Sequence, residues 1–569
     1  MQFRELCEFL ELISKNKSRI YITDQLSKLY SNISSEEAMM VSYMLVGQIA
    51  PSYVSLELGV SSNLILQALS AVTGISKDDL ELNLKKSGDI GDLAYNILNR
   101  KERIRSLINK ELEIADVFNS LKRIALESSQ KIKIEILINL LSRTSPIEAK
   151  YLTRFIVNKT RIAIGIMTVL DSIAKAKNVD KDHVRNIYYL ISDIGKTALK
   201  IFRNDLSYRV ELFTPISPAL AERVKDAEEI LSRSNPVFVE YKYDGFRAQI
   251  HKRGRDVKIF SRRLEDITKY IPEIVDDVRR IGDDFILEGE IVSFVDSKPL
   301  PFQEIIKRKR KHDVIEYSNK IPVEVYAFDI LYLNGEELYN TTFIHRRNLL
   351  EAFINRSGFS RIKLSTGEMV DNSSRIEELF NRALSSGMEG LIAKKPDSIY
   401  TPGQRNHNWM KLKKSGDTID CVVVGYFYGQ GRLKDYPGSL LVCVYDEQLD
   451  EYQTVAKVSS GLSEDEFMLL KEKLISLDSP YLNINTRMQP DVWVEPNVIL
   501  ELAYDNITIS PVHTCAYTEF NGKGLALRFP RVIRIRDDKG LGEITRSLEV
   551  VDLYRLQGGE IGEESEDKE

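Results

Sequence analysis

A chain of 569 residues, 43% hydrophobic and 29% charged, has room for about three or four domains of ordinary size. It holds no apolar run long enough to span a membrane and no signal-peptide profile at Met1-Gln2-Phe3-Arg4, so an intracellular, cytoplasmic protein is expected. Four scattered cysteines (Cys7, Cys421, Cys443, Cys515) and six histidines without H-x3-H or H-E-x-x-H spacing argue against a zinc knuckle, a disulfide framework and a zinc hydrolase. The net charge of −5 sits in the tail Glu560 to Glu569, where six acids face Lys568; the rest of the chain is neutral and free to carry single-sign surfaces.

Residues 1 to about 206 read as helical, with apolar residues three and four apart, as in Ile134, Leu137, Ile138 and Leu141, and with few Gly or Pro. Asp24, Ser35 and Ser76 are expected helix caps, and Thr144-Ser145-Pro146 reads as a break followed by a new helix. No internal repeat is expected. Lys150, Arg154 and Arg161 recur at helical spacing and run into Gly165, a basic face suited to phosphates; its plainer reading is a solvated helix.

Two prolines in Leu212 to Glu222 mark a boundary, after which the period changes from 3.6 to 2. Val237 to His251 reads as a strand, a turn at Asp244-Gly245 and a second strand from about Arg247. Alternation puts Glu240, Lys242 and Asp244 on one face. Further strands are expected at Val257 to Ser261, Phe285 to Phe294, Val323 to Leu333 and Gly390 to Lys394, with helices between them. Lys307-Arg308-Lys309-Arg310-Lys311 is a basic run, either a nucleic-acid contact or a solvated loop or localisation signal. From about Ser415 come short strands at near-regular spacing, the last at Arg528 to Arg536, which suggests a small barrel such as the OB-fold.

In order along the chain stand Lys242-Tyr-Asp-Gly-Phe-Arg247, Ser261-Arg-Arg-Leu-Glu-Asp-Ile-Thr268, Leu287-Glu-Gly-Glu-Ile-Val292, Val325-Tyr-Ala-Phe-Asp-Ile-Leu331, Glu389-Gly-Leu-Ile-Ala-Lys394, Trp409-Met-Lys-Leu-Lys413 and Arg528-Phe-Pro-Arg531. K-x-D-G alone matches by chance; the ordered set resembles the ATP-dependent DNA ligases of the covalent nucleotidyltransferase superfamily. The stretches Leu140 to Tyr151, Arg161 to Gly165 and Arg308 to Lys311 extend the likeness to the cellular enzymes, archaeal and eukaryotic.

The resemblance implies a multidomain protein: an all-α N-terminal DNA-binding domain over residues 1–206, an α+β nucleotidyltransferase (adenylation) domain over 207–415, a C-terminal β-barrel OB-fold domain over 416–557, and an acidic tail over 558–569. It makes Lys242 the nucleophile that takes AMP from ATP. Glu240 would lie by the adenine and Phe328 on its face, Arg247 and Arg262 near ribose and phosphates, and Glu290 at the ribose or a metal. Glu389 would hold Mg²⁺, for which Mn²⁺ substitutes. Lys394, Arg405, Lys411 and Lys413 would line the same pocket, and Arg528 and Arg531 would orient the leaving pyrophosphate. Whether Glu290 or Glu288 has the metal or ribose role cannot be read from side alternation, and Glu290 is preferred on the motif. The implied partners are nicked duplex DNA, bound through Lys150, Arg154, Arg161, Gly165 and Lys307 to Lys311, and a sliding clamp, although no clamp-binding box is visible. A monomer, nucleoid-associated in a prokaryote, is expected. A capping guanylyltransferase would not need the helical section, a NAD-dependent ligase would need a zinc module, and a non-catalytic scaffold would not need Lys242, Glu290, Glu389 and Lys411 together.

Overall fold

The computed structural model describes every residue except 17, 88, 101–110, 158–163, 208, 296–297, 300–321, 414–417, 430–434, 481–482 and 557–569. Arg161, Lys307 to Lys311, the expected boundary at 415–416 and the acidic tail therefore lie outside the described residues.

The N-terminal section holds two sets of six helices. The first is α1 (Phe3–Ile13), α2 (Arg19–Ser31), α3 (Ser35–Leu45), α4 (Ser62–Thr73), α5 (Lys77–Ser87) and α6 (Ile90–Arg100). The second is α7 (Ile114–Leu126), α8 (Gln130–Arg143), α9 (Pro146–Ile156), α10 (Ile166–Lys177), α11 (Lys181–Ile191) and α12 (Ile194–Phe202). The expectation of no repeat is corrected here. Helices α3 and α9 start with the same capping box, Ser34 with Glu37 and Ser145 with Glu148. α4 and α10 are both 12 residues long and end on a left-handed residue, Gly74 and Asn178. α6 and α12 both begin Asp-Ile-Gly, with Asp89 and Asp193 as caps.

The two sets interlock. α6 packs on α9 while α12 packs on α3, and α4 packs on α8 while α10 packs on α2. Glycine makes the close crossings possible, because a Cβ on Gly91 would lie 2.7 Å from Arg154 Nε and one on Gly195 would lie 2.1 Å from the Tyr43 ring. The same aspartates bridge the crossings: Arg154 Nε donates to Asp89 at 3.1 Å and Tyr43 Oη to Asp193 at 2.6 Å. Of the expected caps, Ser76 holds Asp79 N, Ser34 rather than Ser35 caps α3, and Asp24 lies inside α2, which Ser18 caps. Ser145 with Pro146 starts α9 as expected.

The linker to the next section runs over a comb of polar side chains from the strand Phe246–Arg253. Gln249 pairs with both backbone groups of Ile216 at 2.8 and 3.2 Å, and Arg247 donates to Ala219 O at 2.6 Å. His251, fully buried, accepts from Phe213 N at 3.0 Å through Nδ1, so its proton sits on Nε2 and points at Gln249 Oε1, 2.8 Å away. Burial pushes the imidazole down to about 3 from 6.5. The unfolded chain thus takes up a proton near 6.5 that the folded chain refuses. Stability from this group is complete above 6.5 and is lost as pH falls toward 3. At pH 5 the loss is about 2 kcal/mol. Urea unfolding at pH 7.5 and pH 5 checks this: the difference between the two should shrink by that amount in His251→Gln, and an unchanged difference would contradict it.

The middle section holds two sheets. One has the strand order Leu220–Arg223, Arg405–Lys413, Gly390–Lys394, Val237–Lys242 and Gly367–Val370. The other is built on Phe246–Arg253 between Asp256–Ser261 and Phe285–Val295, with Val323–Leu333 beyond. The C-terminal section is strand-rich, from Thr418–Tyr428, Pro437–Asp446 and Glu451–Val458 to Ile499–Ala503 and Arg531–Ile535. Strand pairing among the described residues does not close into a ring. The expected strand Arg528 to Arg536 is broken: Gly524–Arg528 pairs with Asn506–Ser510, Phe529 takes φ +50°, and Arg531–Ile535 pairs with Ile499–Ala503. All four cysteines are buried and free, and among the described residues no helix is long and apolar enough to cross a membrane.

Candidate active site

Register explains why the cationic residues converge. On the first sheet Phe238 opposes Lys394 and Lys394 opposes Trp409; Glu240, Ile392 and Lys411 form the next row; Lys242, Gly390 and Lys413 the third. Residues directly opposed across antiparallel strands share a face, so the three rows floor one cavity of about 460 Å³. Gly390 is required there, because its φ is +148° and a Cβ would lie 2.1 Å from Leu412 O. With no side chain between the two lysines, the Glu389 carboxylate reaches both Lys242 and Lys413 at 2.6 Å.

The second sheet forms the opposite wall. Glu290 lines the cavity across from Arg247, whereas Glu288 is buried and does not line it. Glu288 accepts from Arg247 Nη2 at 2.7 Å, Tyr400 Oη at 2.9 Å and Gln249 Nε2 at 3.2 Å. A register shift between Glu288 and Gly289 in the pairing with Val323–Leu333 separates the surroundings of the two acids. Phe328 lines the cavity, edge-on to Trp409 at 6.0 Å, with the Arg247 guanidinium 5.2 Å from its ring.

The C-terminal section closes the third side. Arg528 and Arg531 do not come to the cavity: both are exposed on the turn around Phe529, and Arg531 pairs with Asp505 at 3.0 Å. The segment after the strand Arg531–Ile535 supplies the lining instead, through Arg536, Asp538 and Lys539. Arg534 meets Asp244 of K-x-D-G at 3.5 Å, and Lys539 is hydrogen-bonded to Asp420. The run Arg534-Ile-Arg-Asp-Asp-Lys539 packs five charges of both signs into six residues and carries the signal that a reading centred on Arg528 and Arg531 passes over. The C-terminal helix Ser547–Leu556 adds Glu549, which bonds Arg405 at 2.5 Å and lies 3.9 Å from Lys411, while Glu543 pairs with Arg262.

Carboxylates thus occupy the groups that would meet phosphate. Glu549→Gln should release Arg405 and Lys411 and lower the ATP concentration for half-maximal lysine labelling by about three- to tenfold, the range for one charge-assisted bond partly offset by solvation. Labelling across an ATP titration checks this, and an unchanged midpoint would contradict it.

Burial pushes Lys411 down to about 7, against Glu549, with Arg405 and Lys413 adding to the fall. Burial and neighbouring cations bring Lys539 to about 8 against the pull of Asp420. For Lys242, burial works downward but Glu389, Glu290 and Asp244 outweigh it and hold the ammonium above its ordinary value. Burial lifts Glu290 to about 7, Lys242 opposing and Glu389 adding to the rise. Burial also lifts Asp244, together with Glu389, whereas Lys242 and Lys413 overcome burial to hold Glu389 low. These carboxylates offer the hard oxygen donors a divalent cation takes, but no group of three forms a ready cage among the described residues. That fits Mg²⁺ held by one or two carboxylates together with phosphate oxygens.

The expected DNA contacts fare differently. Arg154 is buried and bonded to Asp89 and Asp92 at 3.1 Å each, and Lys150 is paired with Glu11 at 3.0 Å and Asp92 at 3.3 Å. α9 packs on α6 and α1, and both side chains are engaged there by carboxylates, Arg154 buried and Lys150 half-buried. Gly165 is exposed at the start of α10.

A lysine on a strand, flanked by carboxylates and further lysines in a cavity with an aromatic end, holds the groups that covalent nucleotidyl transfer needs. The comparisons narrow this. The sequence family described as "DNA ligase N terminus" matches residues 2–174, "ATP dependent DNA ligase domain" matches 218–413, and "ATP dependent DNA ligase C terminal region" matches 434–539. A probable DNA ligase of Dictyoglomus turgidum is 38% identical, covering 100% of both chains. DNA ligases of Pyrobaculum calidifontis (38% identical, 98% of this chain and 99% of the relative) and Sulfolobus acidocaldarius (36% identical, 98% of each) are similar throughout. The chain belongs to the ATP-dependent DNA ligase family.

Proposed function

We propose that Lys242 attacks the α-phosphorus of ATP, forming an N–P bond as the bond to the leaving pyrophosphate breaks. The AMP then passes to the 5′-phosphate of a nick, and the 3′-hydroxyl displaces it to close the backbone. The observation that carries this is the row of Lys242, Gly390 and Lys413, which sets an amine beside a carboxylate and a second lysine at one end of the cavity. Each step is a displacement at phosphorus, and spread positive charge lowers its barrier.

The cavity has two unlike ends. Phe328, Ile392 and Trp409 with Glu240 suit a base, while Lys411, Lys413, Arg262 and Arg405 suit phosphates. Glu290 and Glu389 would hold Mg²⁺, which supplies charge neutralisation at the phosphates and favours the neutral amine over the ammonium. Glu389 pairs with the Lys242 ammonium in the resting site, and Arg247, which lines the cavity, is a candidate to meet the ribose. Arg536 and Lys539 line the cavity and take the role toward departing pyrophosphate in this reading, in place of Arg528 and Arg531, which face solvent. Nicked duplex DNA is the partner, with the helical section and the run Lys307 to Lys311 as its contacts. Sealing of a nicked duplex with ATP or NAD as the only nucleotide tests the reading: joining with ATP alone is expected, and joining with NAD alone would overturn it.

A further inference from the structure

Two neighbouring arginines, Arg262 and Arg263, both line the cavity. Successive residues of a strand point to opposite faces, so the strand Asp256–Ser261 continued straight could bring only one of them there. The chain turns instead: Leu264 N donates to Ser261 O at 2.8 Å, Glu265 N to Ser261 Oγ at 3.2 Å and Ser261 N to Glu265 O at 2.9 Å. That turn puts Leu264 at φ +62°, a left-handed conformation that a residue with a side chain adopts only at a cost. The two arginines differ in their partners. Arg262 is paired with Glu543, as Arg405 is with Glu549 and Lys413 with Glu389. Arg263 is half-buried and has no hydrogen bond or ion pair among the described residues. Gly540 of the C-terminal section lies beside it, where a Cβ would come 3.8 Å from Arg263 Nε.

A cation paired with a carboxylate has its charge balanced inside the protein until an incoming anion takes the carboxylate's place. Arg263 has no such stand-in, and half-buried beside the segment that closes the third side, it stands at the rim of the cavity rather than on its floor. A cavity of about 460 Å³ has room for a nucleotide and none for a duplex, so DNA reaches Lys242 only past the rim. AMP joined to a DNA 5′-phosphate sets two phosphates in a row, followed by the first phosphodiester of the strand, and two neighbouring guanidinium groups match such a series. We propose that Arg263 is a DNA-binding residue that takes a backbone phosphate of the strand carrying the 5′-phosphate, while Arg262 works inside the cavity. The inference rests on the reading that Lys242 passes AMP to the 5′-phosphate of a nick.

The test forms lysyl-AMP on the full chain with ATP and Mg²⁺, removes free ATP, and follows discharge of the adduct across a titration of nicked duplex. Arg263→Gln should raise the nick concentration for half-maximal discharge about tenfold, the scale of one charge-assisted bond. It should also flatten the slope of log affinity against log salt by roughly 0.9, the share of one phosphate. Arg263→Lys, which keeps the charge, should keep the slope. The ATP concentration for half-maximal labelling should be the same in all three proteins, and an intact duplex of the same sequence, which brings no strand end to the rim, should bind them alike. A merely solvated arginine leaves the nick titration and the slope unchanged; an arginine that serves the pyrophosphate shifts the ATP midpoint and not the nick titration; a general surface charge weakens intact and nicked duplex equally. Each of these results would overturn the proposal. If the unaltered protein forms no lysyl-AMP, the underlying reading of Lys242 fails; if it does and Arg263→Gln discharges it as readily, the assignment of Arg263 fails and the reading of Lys242 stands.

Discussion

Replacing Lys242 by alanine is expected to abolish the AMP adduct and the sealing of ordinary nicks, a loss of several orders of magnitude, while sealing of a nick already carrying AMP persists in part. Only the first two displacements pass through the amine; the last joins a 3′-hydroxyl to an activated phosphate and needs the surrounding cations. Those cations survive the substitution, because Lys411 and Lys413 belong to the strand Arg405–Lys413, beyond Gly390–Lys394, and Arg262 to the opposite wall. Lys242→Arg should fail in the same way, since a guanidinium stays protonated and cannot attack. Gel assays with unadenylated and pre-adenylated nicks separate the outcomes. Equal loss on both would contradict the role as nucleophile.

The second large effect concerns stability. Arg346 and Asp329 are fully buried and joined by two bonds, Nε to Oδ1 at 2.7 Å and Nη2 to Oδ2 at 3.0 Å, while Nη1 donates to Thr341 O at 2.6 Å. Asp329 follows Phe328 on the strand Val323–Leu333, so the pair ties the aromatic wall of the cavity to the helix Phe343–Ser357. Arg346→Ala strands a carboxylate with no solvent and should cost about 3–5 kcal/mol. Arg346→Lys should recover little, because one ammonium cannot reproduce a planar fork. Arg346→Met combined with Asp329→Leu should recover much of the loss, since it removes both charges. Denaturant unfolding of the three variants checks this, and a cost below about 1 kcal/mol for Arg346→Ala would mean that the pair is not the tie its geometry implies.

Sequence reading reached the floor of the site because the strand period of two is short and strict. Glu240 and Lys242 had to share a face once they were placed on a strand, whereas Lys411 and Lys413 came from the resemblance alone, and pairing through Gly390–Lys394 sets them opposite. It did not reach contacts that depend on which element covers which. Lys150 and Arg154 lie at helical spacing as anticipated, but the covering helix is α6, whose Asp89 and Asp92 come from the other half of the repeat. Glu288 and Glu290 differ through a register shift that no alternation reveals. Glu549, more than a hundred residues beyond Arg405, carries no local mark of its partner. The repeat was within reach, for the matched Ser-x-x-Glu boxes and the two Asp-Ile-Gly starts are visible in the chain.

The most direct measurement is to identify the labelled residue. Incubation with Mg²⁺ and ATP labelled at either the α- or the γ-phosphate, followed by peptide mapping and addition of nicked duplex, should show label from the α-position only. It should lie on the peptide containing Lys242 and be discharged as the nick is sealed. Label from the γ-position, label on another residue, or an adduct that nicked DNA leaves in place would contradict the account.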